Sequence, residues 1–152
     1  KEAGLLHDIG KIGIPENILN KQGQLTAEEY EVMKNHVASS VEIIRHLPMM
    51  DYVIPAVIGH HERYDGKGYP RRIAGNDIPL AARILCIVDS FDAMVSKRCY
   101  KHQIPVSEAM EELERGAGTQ FDPELVPMFC RMIREGRITP IVDEEHPENG
   151  GE

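Results

Sequence analysis

Apolar residues recur at three- and four-residue steps along most of this chain, and no segment alternates apolar with polar positions in the two-residue rhythm of a half-buried strand. The pattern predicts an all-α fold. A clear stripe, Tyr30, Met33, Val37, Val41 and Ile44, follows Thr26-Ala27-Glu28-Glu29, which has the Thr-x-x-Glu form of a capping box. The longest stripe, Leu80, Ile84, Ile87, Phe91 and Val95, opens after Pro79 and is expected to be the core helix. Lys1 to Ile9 reads as the end of a helix closed by Gly10 and Gly13, with Pro15 opening a short turn through Leu19. Another helix is expected from about Tyr52 to Glu62, with Pro55 near its start, where proline is tolerated. Asp65-Gly66 and Tyr69-Pro70 mark a loop suited to binding. Ser107 is expected to cap a helix ending near Gly116, and Asp122-Pro123 has the N-cap then first-position pattern of a last helix through about Arg134.

Composition narrows this to one domain with one core, since 152 residues at 41% apolar content suffice for a single compact unit. We expect residues 1 to 137 to form it and the acidic stretch 138 to 152 to be a frayed tail. The chain opens on Lys1 inside a helical pattern and is therefore read as a fragment. Three cysteines, Cys86, Cys99 and Cys130, follow no metal or disulfide spacing and fit a reducing cytoplasm. No apolar run approaches the roughly 20 residues of a spanning helix, so no direct membrane contact is expected. A net charge of −8 argues against binding a nucleic-acid polymer. Yet Arg63 to Lys101 holds eight Lys or Arg against four Asp. That local excess reads either as a solvated face or as a site for a small polyanion.

Candidate chemistry lies in the ionisable residues placed among apolar helices. His7-Asp8 ends the Leu5-Leu6 helix, and burial there penalises an unpaired carboxylate. His36 lies on the capped helix, His60 and His61 at the end of another, and Asp89 on the core helix. Nitrogen and oxygen donors converging from separate helices are a recurrent way to build a metal site. Adjacent helical side chains diverge by about 100°, so His60 and His61 should not serve one ion comfortably. Either one is a ligand and its neighbour a supporting group, or they serve different ions.

The order of motifs resembles the HD-GYP family, HD-domain phosphohydrolases associated with hydrolysis of cyclic di-GMP. The matching residues are His7-Asp8-Ile9-Gly10-Lys11, Lys34-Asn35-His36, and His60-His61-Glu62-Arg63-Tyr64-Asp65-Gly66-Lys67-Gly68-Tyr69-Pro70. Asp89, Arg98 with Tyr100, and Gly118-Thr119-Gln120-Phe121-Asp122-Pro123 continue the series. The resemblance implies an HD-domain helical bundle, here N-terminally incomplete, because a family histidine and in some members a glutamate lie upstream of Lys1. It implies two or three divalent metal ions, Fe or Mn foremost, held by His7, Asp8, His36, His60, His61 and Asp89, with Asp8 bridging. Asp8 and Lys11 would be catalytic, Lys11 beside the attacking hydroxide or a phosphate oxygen. Gly68, Tyr69 and Pro70 would shape the substrate loop, and Arg98 and Lys101 would contact the phosphates. The implied reaction is metal-assisted hydrolysis of cyclic di-GMP to pGpG, with the choice between pGpG and GMP as end product left open by the sequence. A different nucleotide, or an inactive cyclic di-GMP sensor that docks a diguanylate cyclase or other signalling domain, are the competing readings. Where the family commonly has Pro and Gly after its His36 counterpart, this chain has Val37 and Ser40, changes expected to touch helix geometry more than ligation.

Overall fold

The structure is a computed structural model that describes residues 1–96 and 103–140. Among these residues seven α-helices and three short 3-10 turns form, and no strand beyond an isolated bridge between Ala117 and Phe121. Helix α1 (Glu2–Leu6) runs into a 3-10 turn (Ile9–Gly13), and the short turn expected from Pro15 through Leu19 is α2 (Glu16–Leu19), a single helical turn with Pro15 at its N-cap. Helix α3 (Ala27–Arg45) begins with the anticipated capping box, in which Thr26 Oγ1 accepts from the Glu29 N–H and the Glu29 carboxylate accepts from the Thr26 N–H. Two orphan donors of the first turn are thereby satisfied. Its stripe is buried at Val37, Val41 and Ile44, whereas Tyr30 is half-exposed and turns toward the loop at Tyr69.

Helix α4 (Ile54–Gly59) is shorter than the apolar pattern suggested. A 3-10 turn (Asp51–Val53) precedes it, and the helix stops at Gly59, before the histidine pair. Helix α5 (Leu80–Val95) is the core helix, but its buried face is Ala82, Leu85, Cys86, Ile87, Phe91 and Val95. Leu80 and Ile84, counted in the sequence stripe, lie exposed. A helix this apolar carries hydrophobic residues around most of its circumference, so a three- and four-residue stripe can be drawn along more than one face. Helix α6 (Val106–Gly116) has Pro105 at its N-cap, so Ser107 lies inside the first turn and does not cap it. Helix α7 (Leu125–Arg134) starts later than Asp122 suggested, although Asp122 Oδ1 still accepts from the Glu124 and Leu125 N–H groups.

Two apolar clusters hold these helices together. One joins α5, α6 and α7 through Phe91, Leu113, Val126 and Cys130; the other joins α3 and α4 through Val41, Ile44, Val53 and Val57. Each buried aliphatic side chain contributes roughly 1.5–3 kcal/mol relative to exposure. The 3-10 turn presses directly onto α3, because a Cβ at Gly10 would fall 2.2 Å from the His36 carbonyl oxygen and 2.4 Å from the Ser40 nitrogen. Only glycine permits that approach, and it is what brings Asp8 up to His36. Arg98, Lys101 and Cys99 lie outside the described residues, as does the acidic tail beyond residue 140.

Candidate metal centre and its loop

Asp8, His36, His60 and His61 offer ligand atoms within 4.8 Å of one another, and His7, Asp8 and Asp89 form a second such group. The two groups share Asp8. His36 Nε2 lies 3.3 Å from Asp8 Oδ1, while His7 Nε2 lies 3.3 Å from Asp8 Oδ2 and 3.4 Å from Asp89 Oδ1. All six residues singled out as metal ligands therefore converge.

Contrary to the expected divergence, His60 and His61 face one centre, with ring centroids 3.9 Å apart. The pair sits in the turn that closes α4, where His60 keeps helical φ and ψ of −69° and −17°, and both imidazoles bend round to one point.

Three of the imidazoles are fixed from behind by the turn that precedes them. His7 Nδ1 pairs with the Gly4 carbonyl at 2.9 Å, His36 Nδ1 with Met33 at 2.7 Å, and His60 Nδ1 with Val57 at 2.6 Å. A backbone carbonyl is only an acceptor, so each Nδ1 carries a proton and each Nε2 is turned to the centre of the cluster, as a lone pair on His36 and His60 and as the atom that faces the Asp8 and Asp89 carboxylates on His7. His61 Nε2 stands 3.2 Å from His36 Nε2.

His7 Nε2, Asp8 Oδ1 and His60 Nε2 are buried without a hydrogen-bond partner. Buried polar atoms left unpaired are costly, and cations at the two donor groups would satisfy all three, with Asp8 common to both. The donor set, imidazole nitrogens with two carboxylates, suits borderline divalent transition metals.

Electrostatics point the same way. Burial holds His36 down, takes His60 to about 4 with help from the charge on His7, and takes His61 to about 3 with help from His60 and His36. Neutral imidazole is the form that binds metal. Burial also opposes charge on His7, but Asp8 and Asp89 outweigh it and raise His7 to about 10. Burial would lift Asp8, yet His7 and Lys11 hold it well below the usual carboxylate range, and Asp89 is lowered by His7 against the same opposition. The pocket between the two carboxylates thus attracts positive charge, for which a proton and a metal ion compete. Lys11 Nζ donates to Asp8 Oδ2 at 2.5 Å.

The loop bearing Gly68, Tyr69 and Pro70 folds back over the histidines. The Tyr69 N–H donates to the His61 carbonyl at 3.2 Å, and its ring stacks on the His61 imidazole at 4.8 Å and 23°. The Tyr69–Pro70 peptide is cis. A Cβ at Gly68 would fall 2.3 Å from the Arg63 nitrogen, 2.5 Å from Glu62 Cα and 2.5 Å from the His61 oxygen, so the loop closes only with glycine there.

Two residues with structural weight in this site were missed in the sequence. Glu62 is 2% exposed, and its Oε1 accepts from the Arg71 N–H at 2.6 Å and the Arg72 N–H at 3.2 Å. Those bonds offset the left-handed backbone of Arg72, whose φ is 57°. Ser40, fully buried, accepts from the Gly10 N–H and donates to the His7 carbonyl, both at 2.8 Å. The hydroxyl ties the His7 to Gly10 segment to α3. A glycine at this position has no side chain to make either bond.

Comparison with known proteins bears on the family and the fold. A family model described as an HD domain matches residues 1–125. A cyclic di-GMP phosphodiesterase of Thermotoga maritima is 43% identical over 155 residues, covering 98% of this chain and 42% of that protein. The 3'3'-cGAMP-specific phosphodiesterase 2 of Vibrio cholerae is 42% identical over 131 residues, covering 85% of this chain and 25% of its own length. A cyclic di-GMP phosphodiesterase response regulator of Xanthomonas campestris is also 42% identical over 131 residues, covering 85% and 35%. The chain thus spans less than half the length of these relatives. Among solved structures, a cyclic GMP-AMP specific phosphodiesterase of V. cholerae superposes with a TM-score of 0.63 at 21% identity, over 90% of this chain and 38% of that one, which shows a shared fold. With its motifs, its all-helical fold and its relatives in agreement, the chain belongs to the HD-domain family of metal-dependent phosphohydrolases, in the HD-GYP branch.

Proposed function

We propose that this domain, residues 1–137, is a metal-dependent phosphodiesterase that opens cyclic di-GMP to pGpG and carries it on to GMP. The observation that carries the reading is the pair of donor groups meeting at Asp8, with three imidazoles locked so that their free nitrogens face inward. Two ions fit this arrangement, one held by Asp8, His36, His60 and His61 and one by His7, Asp8 and Asp89, with Fe or Mn favoured by the mixed nitrogen and oxygen set. When bound, such ions acidify water and neutralise charge on phosphoryl oxygens. Asp8 holds both groups in register through its two oxygens. Lys11, anchored on Asp8, offers its remaining donors to a phosphate oxygen, and Arg98 and Lys101, which lie outside the described residues, are assigned to the substrate phosphates on the family resemblance alone. Gly68, Tyr69 and Pro70 form the wall on which the nucleotide rests.

Cytoplasmic location and partners such as a diguanylate cyclase domain belong to the same proposal; among the described residues no helix is long and apolar enough to cross a membrane. The similarity to a protein named for 3'3'-cGAMP supports a second reading, in which the mixed cyclic dinucleotide is the preferred substrate. Anaerobic hydrolysis of both dinucleotides with Fe(II) or Mn(II) supplied, with Asp8→Ala alongside, tests the proposal. We expect cyclic di-GMP turnover by the wild type, and neither retained metal nor turnover in the variant. Full activity of Asp8→Ala would overturn it, and faster turnover of the mixed substrate would favour the second reading.

A further inference from the structure

We infer that the cavity beside the metal centre is a guanine-reading subsite, in which the Glu31–Lys34 pair meets the hydrogen-bonding edge of one base of the cyclic dinucleotide. The choice of a dinucleotide as ligand rests on the function proposed above. The cavity has a volume of about 320 Å³, and its lining includes Glu31, Lys34, Asn35, Tyr69, Pro70 and Arg72. Tyr69 connects it to the metal centre, since the same ring that helps line the cavity stacks on His61. A nucleotide with a phosphate at the metals therefore has a neighbouring base within reach of this wall, and the exposed Pro70 ring gives that base an apolar surface to pack on.

The polar groups in the cavity are placed for a particular base. Lys34 Nζ lies 5.2 Å from the Tyr30 ring centroid and 5.6 Å from that of Tyr69, and the two rings meet edge to face at 6.3 Å. Two phenol faces thus steady the ammonium. Lys34 also pairs with Glu31, less than one turn earlier on the same helix. Glu31 is largely exposed and such surface pairs are weak, so both partners can turn to a ligand at small cost.

An ammonium only donates hydrogen bonds and a carboxylate only accepts them. Guanine presents its O6 acceptor beside the N1–H and N2–H donors, which matches ammonium beside carboxylate. Adenine reverses both positions, setting its N6 amino group against the ammonium and its N1 lone pair against the carboxylate. With the wrong base each group meets its own kind, donor against donor and acceptor against acceptor, and because Glu31 stays accessible to water the resulting preference is modest. Arg72, exposed at the rim, adds a second positive charge without altering this donor and acceptor order.

Two measurements test the assignment. In the first, kcat/KM is compared for cyclic di-GMP and cyclic di-AMP with the wild type, Lys34→Met, Lys34→Arg and Glu31→Ala. In the second, the metal-free protein is titrated with GMP and with AMP by NMR. We expect Lys34→Met and Glu31→Ala to lose about tenfold on the guanine substrate through KM, with little change on the adenine one, and Lys34→Arg to keep most of the preference. Metal-free wild type should bind GMP more tightly than AMP, and Lys34→Met should erase the difference. Equal losses on both substrates would make Lys34 a general phosphate-attracting charge and overturn the inference, as would equal binding of GMP and AMP by the wild type. If the wild type hydrolyses no cyclic dinucleotide, the proposed activity fails, and the GMP-against-AMP titration alone decides the subsite.

Discussion

Replacing Gly68 by alanine should damage the metal centre from a distance, and the structure sets the scale. The new Cβ would sit 2.3 Å from the Arg63 nitrogen and 2.5 Å from both Glu62 Cα and the His61 oxygen. Ordinary contacts of this kind are about 3.5 Å or longer, so the loop must retreat by about 1 Å. All three obstructing atoms are backbone, with no flexible side chain to yield. Overpacking of this kind costs roughly 1–3 kcal/mol, and the upper end applies here. For a chain of this size about 3 kcal/mol corresponds to a fall in Tm of roughly 6–12 °C. Retreat would also break the Tyr69 N–H bond to the His61 carbonyl and unstack Tyr69 from the imidazole, so metal retention should fall together with stability. Calorimetric melting and metal content after dialysis read the two effects, with Gly13→Ala as the control, since a Cβ at Gly13 meets nothing within 4 Å. A Gly68→Ala protein that melts within about 2 °C of wild type and holds its full metal complement would refute the close-approach argument.

Ser40→Ala removes one hydroxyl and leaves the Gly10 N–H and the His7 carbonyl without their partner, which should cost about 2–4 kcal/mol in urea unfolding. An unchanged midpoint would show that water replaces the hydroxyl freely. In the metal-free protein His60 and His61 stay neutral to about 4 and about 3, whereas in the unfolded chain they take up protons from 6.5 downward. The unfolded state therefore binds more protons in that window, and stability should fall as pH drops from 6.5 to 4, by on the order of 3 kcal/mol for His60 alone. His7, raised to about 10, contributes fully throughout that window, since its contribution declines only as pH rises from 6.5 through its folded value. Denaturation midpoints measured across pH 4 to 7 check the sign, and rising stability on acidification would contradict it.

Much of the site was legible in the sequence because its chemistry is carried by residue types that are costly to bury without a purpose. His36, His60 and Asp89 stood out for that reason, and the capping box at Thr26 located α3 without ambiguity. The shared focus of His60 and His61 was not legible, since the helical repeat gives the direction in which each side chain leaves the backbone but not how its ring then turns. Ser40 read as a change of helix geometry alone because its value lies in two long-range bonds to a segment some thirty residues away. Glu62 was hidden for a similar reason: a glutamate in a polar loop usually faces water, and only the fold shows it buried under Arg71 and Arg72. The exposed face of α5 escaped for the opposite reason, because an almost uniformly apolar helix gives periodicity little contrast to work with.

The donors of the metal centre come from places that the chain itself keeps far apart: the end of α1, the middle of α3, the turn after α4 and the middle of α5. Apart from the adjacent pairs His7-Asp8 and His60-His61, an unfolded chain offers a cation no preassembled set. A cation that binds at this junction therefore recognises the folded state and almost nothing else, and mass action makes it a ligand of folding as well as of chemistry. Each tenfold excess of free ion over its dissociation constant adds about 1.4 kcal/mol to the domain's resistance to unfolding. On this account metal supply would set how much of the domain stays folded, alongside the chemistry proposed for it.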